Sequence, residues 1–173
     1  AMTLAMAIPH RPGTFDQIVD QATQVGVAAI VPLITARSVV RLEAERAETR
    51  LRRWTHLAVE AAQQSGRGTV PVIASVTSLP MLLKQAAAFD RLLMPTLGVA
   101  APSLVSAVGQ PVPLRLLLLV GPEGDFTAEE VAQAREAGAS PVSLGPYALR
   151  CETAAVVAVG LVLQRLRELS PLW

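Results

Sequence analysis

The sequence predicts an α/β fold, a mostly parallel sheet with helices on both faces, from three observations. Strand-like and helix-like periods alternate along the whole chain. The run LLLLV at Leu116–Val120 is unbroken in its apolarity, which suits a strand covered on both sides rather than one with a wet face. Strand-like runs also end in loops rich in glycine, proline or polar residues, such as GPEG at 121–124, and helix-start signals follow some of them.

In chain order, 2–8 reads as a first strand and 10–13 as a loop. Thr14, with Gln17 three places on, is a capping-box signal for a helix that stops at Gly26. A strand over 28–34 is followed by the polar loop 35–38. The segment 43–65 carries Leu51, Trp54, Leu57, Ala58, Ala61 and Ala62 at helical spacing and is a long amphipathic helix closed by Gly66. A short strand over 70–74, a helix over 79–88 and a strand over 91–94 come next, the last ending in Pro95-Thr96-Leu97-Gly98. The segment 99–113 has no clear period; one short helix between proline-rich turns is the most it suggests. After Leu116–Val120, one proline and two glycines at 121–124 make a tight, stiff turn. Thr127-Ala128-Glu129-Glu130 is a second capping box, for a helix ending near Gly138. A short strand over 141–144 leads into a second loop over 145–153, and a long apolar helix follows. Two strand-ending loops side by side at the carboxyl edge of a parallel sheet are where such folds place ligands.

Bulk properties bound the rest. With 173 residues and 51% apolar content, one domain over 1–173 with a substantial core is expected. Fourteen of the fifteen basic residues are arginine, and formal net charge is only +1. No global field would draw in a polyanion, so a nucleic-acid contact must rely on local arginines or another domain. Cys151 is the only cysteine, which excludes an internal disulfide and fits a reducing compartment. His10 and His56 lie far apart and no Cys/His cluster has metal-ligand spacing, so no metal is expected. The apolar start at 4–8 is too short for a membrane span and lacks the leader of a signal peptide; the final helix is interrupted by Gln164 and Arg165. Cytoplasm is the expected location, with no membrane partner. G-x-G-x-x-G does not follow the first strand, and the phosphate-loop pattern is absent.

The blocks VGPEGDFTAEEV and VSLGPYALRCETAAV resemble the RsmE family of SPOUT-superfamily ribosomal RNA methyltransferases. RSVVRLEAERAETRLRRWTHLAVEAAQQSGRGTVP resembles the same family's middle segment, in the expected order and spacing. The resemblance covers nearly the whole chain. It implies an α/β domain with a deep trefoil knot near its carboxyl end, S-adenosylmethionine in the knot and a homodimer through that region. It also implies methylation of ring nitrogen 3 of a uridine in small-subunit (16S) ribosomal RNA, naked or in the assembled subunit. The knot comes from the resemblance alone, since topology rules treat knots as rare exceptions. Family members usually begin with a small PUA-like β-barrel that holds RNA, and this chain starts where the catalytic domain would. Asp125 stands where a second glycine is usual, Tyr147 where arginine is usual, Cys151 where threonine is usual, and Ala36 where an acidic residue is usual. Asp125 would require a changed turn if that glycine used positive φ. Two rivals follow from these departures and from the superfamily: a catalytically silent binding or assembly protein, and a related knotted enzyme acting on transfer RNA.

Site residues follow from the resemblance and from what the reaction asks. Gly121, Pro122, Gly124, Leu144, Gly145 and Leu149 would cradle the cofactor, or serve only as turn residues. Met94, Pro95 and Ser143 are expected beside it. Transfer from a sulfonium to nitrogen mainly needs alignment, while the electron density released into the uracil carbonyls favours a nearby cation. Arg150 is the candidate stabiliser and is also counted among the cofactor-binding residues, or it grips a phosphate; its alternative is a salt bridge with Glu152 or Glu123. Glu123 either takes the proton or bonds cofactor or uridine, or its carboxylate ties up loop amides. Thr153 either bonds the cofactor or caps the last helix. Arg37, Ser38, Gln64, Ser65 and Arg67 are candidates for RNA contact, with plain solvation as the alternative. Cys151 reads as a packed small residue and Trp54 as core.

Overall fold

The computed structural model describes residues 1–38, 44–97 and 100–170. Its elements run β1 (Met2–Ala7), α1 (Thr14–Val25), β2 (Ala29–Ile34), α2 (Ala44–Gln64), β3 (Val72–Ile73), β4 (Thr77–Ser78), α3 (Leu79–Leu83), a 3-10 turn (Ala86–Ala88), β5 (Arg91–Pro95), α4 (Leu104–Val108), β6 (Leu116–Val120), α5 (Ala128–Glu136), β7 (Ala139–Val142) and α6 (Cys151–Leu169). The strands form one seven-stranded sheet in the order β3-β2-β1-β6-β5-β7, with β4 also pairing β2, and every pairing is parallel.

The apolar runs account for this arrangement. Side chains alternate across a strand, so β6 sends Leu116, Leu118 and Val120 into one layer and Leu117 and Leu119 into the other. The first layer packs Leu4, Met6, Ile18, Trp54, Val159 and Leu166 against the α1, α2 and α6 side; the second packs Ala5, Val31, Leu33, Leu92, Phe126 and Ala134 on the α3 and α5 side. A strand covered on both faces has no wet side to populate with polar residues, hence LLLLV. Trp54 belongs to the core: it is 2% exposed, its ring packs against Phe15 with centroids 4.4 Å apart and a tilt of 44°, and its Nε1–H donates to Asp16 Oδ1 at 3.0 Å.

Several boundaries differ from the sequence reading. Thr14 is the first helical residue of α1 rather than its cap; Gly13 occupies the cap at φ 81° and no side chain bonds there, so the Thr14–Gln17 box does not form. The Thr127–Glu130 box forms with both reciprocal bonds. The strand expected over 70–74 shrinks to Val72–Ile73 and re-pairs with β2 as β4, and the helix expected over 79–88 splits into α3 and a 3-10 turn. Within 99–113, α4 opens on Ser103, whose Oγ accepts the Ser106 N–H. α6 starts at Cys151, earlier than expected, with Arg150 at its cap. Residue 43, where the long helix was expected to start, and residues 98 and 99 lie outside the described residues.

Because β1, β6, β5 and β7 are consecutive neighbours and all parallel, the loops that follow them emerge side by side at one edge. The two loops singled out by sequence therefore lie on either side of the chain leaving β5.

Candidate functional site

The loop after β6 turns tightly through a bond from the Asp125 N–H to the Pro122 carbonyl at 2.9 Å. Asp125 adopts φ 59°, so the turn uses the left-handed region with an aspartate in it. Its carboxylate bonds on both sides: Oδ1 accepts the Phe126 N–H at 2.8 Å and Oδ2 accepts the Leu97 N–H at 3.0 Å, from the chain after β5. Gly121 makes room for it, since a Cβ there would lie 2.9 Å from Asp125 Oδ1 and 3.1 Å from its Cα.

Glu123 faces the loop after β1. Its carboxylate accepts the His10 N–H at 3.0 and 3.1 Å and the Arg11 N–H at 3.4 Å. Burial would raise its carboxyl, but these amide bonds, its own loop amide and the nearby His10 outweigh that and hold it below the usual carboxylate range. His10 Nε2–H donates to the Arg37 carbonyl at 2.6 Å, and the Arg37 guanidinium donates to the Gly124 carbonyl. Loops after β1, β2 and β6 are thus tied into one frame.

That frame, with the chain after β5 and the loop after β7, encloses a cavity of about 410 Å³. Of the expected cofactor residues, Pro95, Gly121, Pro122, Glu123, Gly124, Leu144, Gly145 and Leu149 line it. Met94 does not: the β5 alternation turns it, like Leu92, into the second core layer, where it is fully buried. Ser143 is not in the lining; its Oγ accepts the Gly145 N–H at 3.1 Å and so shapes the loop. Thr153, exposed in the first turn of α6, neither lines the cavity nor caps the helix. Sequence reasoning missed Thr96, Leu97, Val120, Phe126 and Ala154 as lining, saw Asp125 and Tyr147 only as departures, and read Cys151 as a packed small residue. Thr96 had a signal, its place in the turn that ends β5. Thr96 Oγ1 has no hydrogen-bond partner, but the atom is also shielded from solvent, so a ligand in the cavity would reach it only if the wall moved.

A second cavity of about 430 Å³ adjoins the first, sharing Glu123, Leu149 and Cys151 and adding Arg11, Thr14, Ala148, Arg150 and Glu152. Arg150 is exposed and, among the described residues, forms no ion pair, so the expected alternative of a bridge to Glu152 or Glu123 is not what the structure has. Cys151 is buried at the junction. Burial pushes its thiol up to about 12, helped by its bond to Glu152 and by the Glu123 and Glu152 charges, so it is a packed thiol rather than a nucleophile.

The residues considered for RNA contact separate. Arg37 lines the first cavity, and Ser38 closes its own loop by accepting the Thr35 N–H at 3.1 Å. Gln64, Ser65 and Arg67 sit at and beyond the end of α2, and Arg67 donates to the Thr23 carbonyl, at the end of α1, at 2.5 Å. α1 enters from the site edge and leaves at the opposite edge of the sheet. These residues are therefore not beside the cavity within one chain.

Among the described residues no helix is long and apolar enough to cross a membrane, and no group of three or more His, Cys, Asp or Glu could hold a metal.

A family model described as an RNA methyltransferase domain matches residues 1–163. The chain is 35% identical over 150 residues to ribosomal RNA small subunit methyltransferase E of Bacillus subtilis, covering 84% of this chain and 59% of that relative. It is 32% identical over 168 residues to the Aquifex aeolicus protein of the same name, covering 94% and 68%. Among solved structures, ribosomal RNA small subunit methyltransferase E from Neisseria gonorrhoeae bound to S-adenosyl methionine superposes with a TM-score of 0.83 at 32% identity, covering 94% of this chain and 65% of that one. The chain thus spans little more than half the length of the Bacillus relative.

Proposed function

This chain belongs to the RNA methyltransferase domain family, and we propose that it binds S-adenosylmethionine in the first cavity and methylates ring nitrogen 3 of a uridine in small-subunit ribosomal RNA. The observation that carries this reading is the convergence of the loops after β5, β6 and β7 on one cavity. Relatives under the methyltransferase E name, and the Neisseria structure with the cofactor bound, support it.

When bound, the cofactor supplies an electrophilic methyl group on a charged sulfur. The residues of this chain then have to orient it and bring the acceptor in line. Val120, Phe126, Leu144 and Leu149 offer the apolar enclosure, and the loop backbones offer polar groups. The adjoining cavity is the place for the acceptor base, with Arg150 available to stabilise charge on the uracil carbonyls as the nitrogen loses its proton. Glu123 is a poor proton acceptor, because its carboxylate is held ionised by main-chain amides; its part is to position the loop after β1.

The same reading carries a C-terminal knot and a homodimer. The exposed Val157 and Leu161, one turn apart on α6, support the dimer as an apolar stripe. A cytoplasmic site of action fits the substrate. Arg37 is assigned to the cofactor wall, and of the other RNA candidates only Ser38 stays near it.

Calorimetric titration with S-adenosylmethionine is the first test. The second is methyl transfer to small-subunit particles and to transfer RNA, with the product nucleoside mapped. Cofactor binding without product on either RNA would favour a silent binding protein instead.

A further inference from the structure

We infer that Asp125 is a positioning residue for the methyl donor: its carboxylate clasps the chain leaving β5 to the loop leaving β6 and so fixes the width of the first cavity. The inference rests on the reading that this cavity holds the donor. Among the described residues Asp125 is the only non-glycine residue with positive φ. A non-glycine residue persists in that region when its surroundings over-determine it, and here they supply bonds to the Leu97 and Phe126 amides.

The turn itself does not require the side chain. Its closing bond, from the Asp125 N–H to the Pro122 carbonyl, is made by backbone, and a glycine would satisfy it without strain. Nor does the reach to Leu97 seal the core, since Leu97 is 55% exposed. What the bond does hold is the cavity wall. The neighbouring Thr96 N–H donates to the Val142 carbonyl of β7 at 3.1 Å, and the Leu97 N–H donates to Asp125 at 3.0 Å. The wall segment Thr96-Leu97 is thereby anchored from β7 on one side and from the β6 loop on the other. A charge-assisted bond to a main-chain amide is among the stronger single contacts available for such pre-organisation.

The test compares wild type with Asp125→Gly and Asp125→Asn in the same chain, measuring amide exchange at Leu97, thermal midpoint and S-adenosylmethionine affinity. Asp125→Gly is expected to change the midpoint little, since relief of the positive φ is offset by the lost carboxylate bonds and a freer unfolded chain, while Leu97 exchanges faster and donor affinity falls about tenfold through lost pre-organisation. Asp125→Asn is expected to fall between, because one amide oxygen can serve Leu97 or Phe126 but not both as the carboxylate does. An Asp125→Gly protein that binds the donor within about twofold of wild type, or leaves Leu97 exchange unchanged, overturns the clasp. If that variant does not fold, the same two readings on Asp125→Asn decide. A wild type that binds no donor defeats the parent reading instead, and Leu97 exchange still reports whether the clasp exists.

Discussion

The Glu123 carboxylate accepts the His10 main-chain N–H through both oxygens, at 3.0 and 3.1 Å, joining the loop after β6 to the loop after β1. The residues are 113 positions apart in sequence, so no local turn propensity produces the contact; the neighbouring positions of β1 and β6 in the sheet do. Glu123→Gln removes the charge and leaves one oxygen for several amides. Because both loops are exposed to water, the expected loss of folding stability is small, about 1 kcal/mol, measurable in urea titrations. Donor affinity should fall more visibly, since His10 also holds Arg37 through its ring.

The same pair sets a pH dependence. The Glu123 carboxyl is depressed from its ordinary 4.5, so the folded state holds this proton less tightly than the unfolded one. Its contribution to stability is present above pH 4.5 and is lost as pH falls through the lower folded value. Plotting unfolding free energy against pH for wild type and Glu123→Gln should show curves that converge on acidification. A gap that stays constant below pH 4.5 would contradict the assignment.

Cys151 titrates in the opposite sense. Buried and bonded to Glu152, its thiol is pushed from 9.0 to about 12, so between these values the unfolded chain is ionised and the folded one is not. Stability from this group is therefore complete below pH 9.0 and declines from there towards pH 12. In the native protein at pH 8 a thiol reagent should react slowly, and unfolding in urea should restore ordinary reactivity. Rapid labelling of folded protein would place Cys151 in a different environment.

For Arg150, expected to stabilise charge on the acceptor, Arg150→Ala should lower turnover by about a hundredfold while donor affinity stays near wild type. Arg150→Lys keeps the charge without the planar fork and should recover part of the rate. If donor affinity falls in step with turnover, Arg150 instead belongs to the cofactor wall.

What sequence could reveal here was set by range. The β6 run, the GPEG turn and the Thr127–Glu130 box are written in consecutive residues, and each appears as read. Thr14 misled because a side chain with capping chemistry was preceded by Gly13, whose left-handed backbone made the start of α1 without it. Thr96 and Leu97 were passed over as binding residues because they become wall only when β5 is placed between β6 and β7, which no local period encodes. Arg67, named by sequence only as a candidate for RNA contact, donates to the end of α1; pairing it there needed the parallel packing of α1 and α2.

Glu130 shows how a legible local motif acquires a second duty. Its Oε2 accepts the Thr127 N–H at 2.9 Å in the capping box, while Oε1 accepts the Ala36 N–H at 2.7 Å from the loop after β2. The residue is 8% exposed, so both amides would be left poorly served by water if it were removed. Thr127→Ala deletes only the cap acceptor and should reduce stability by about 1 kcal/mol. Glu130→Ala strands amides on two elements and should cost about 2–3 kcal/mol, with faster exchange at Ala36 as well as Thr127. Equal losses for the two variants, or unchanged exchange at Ala36, would mean that the capping box is the whole of its role.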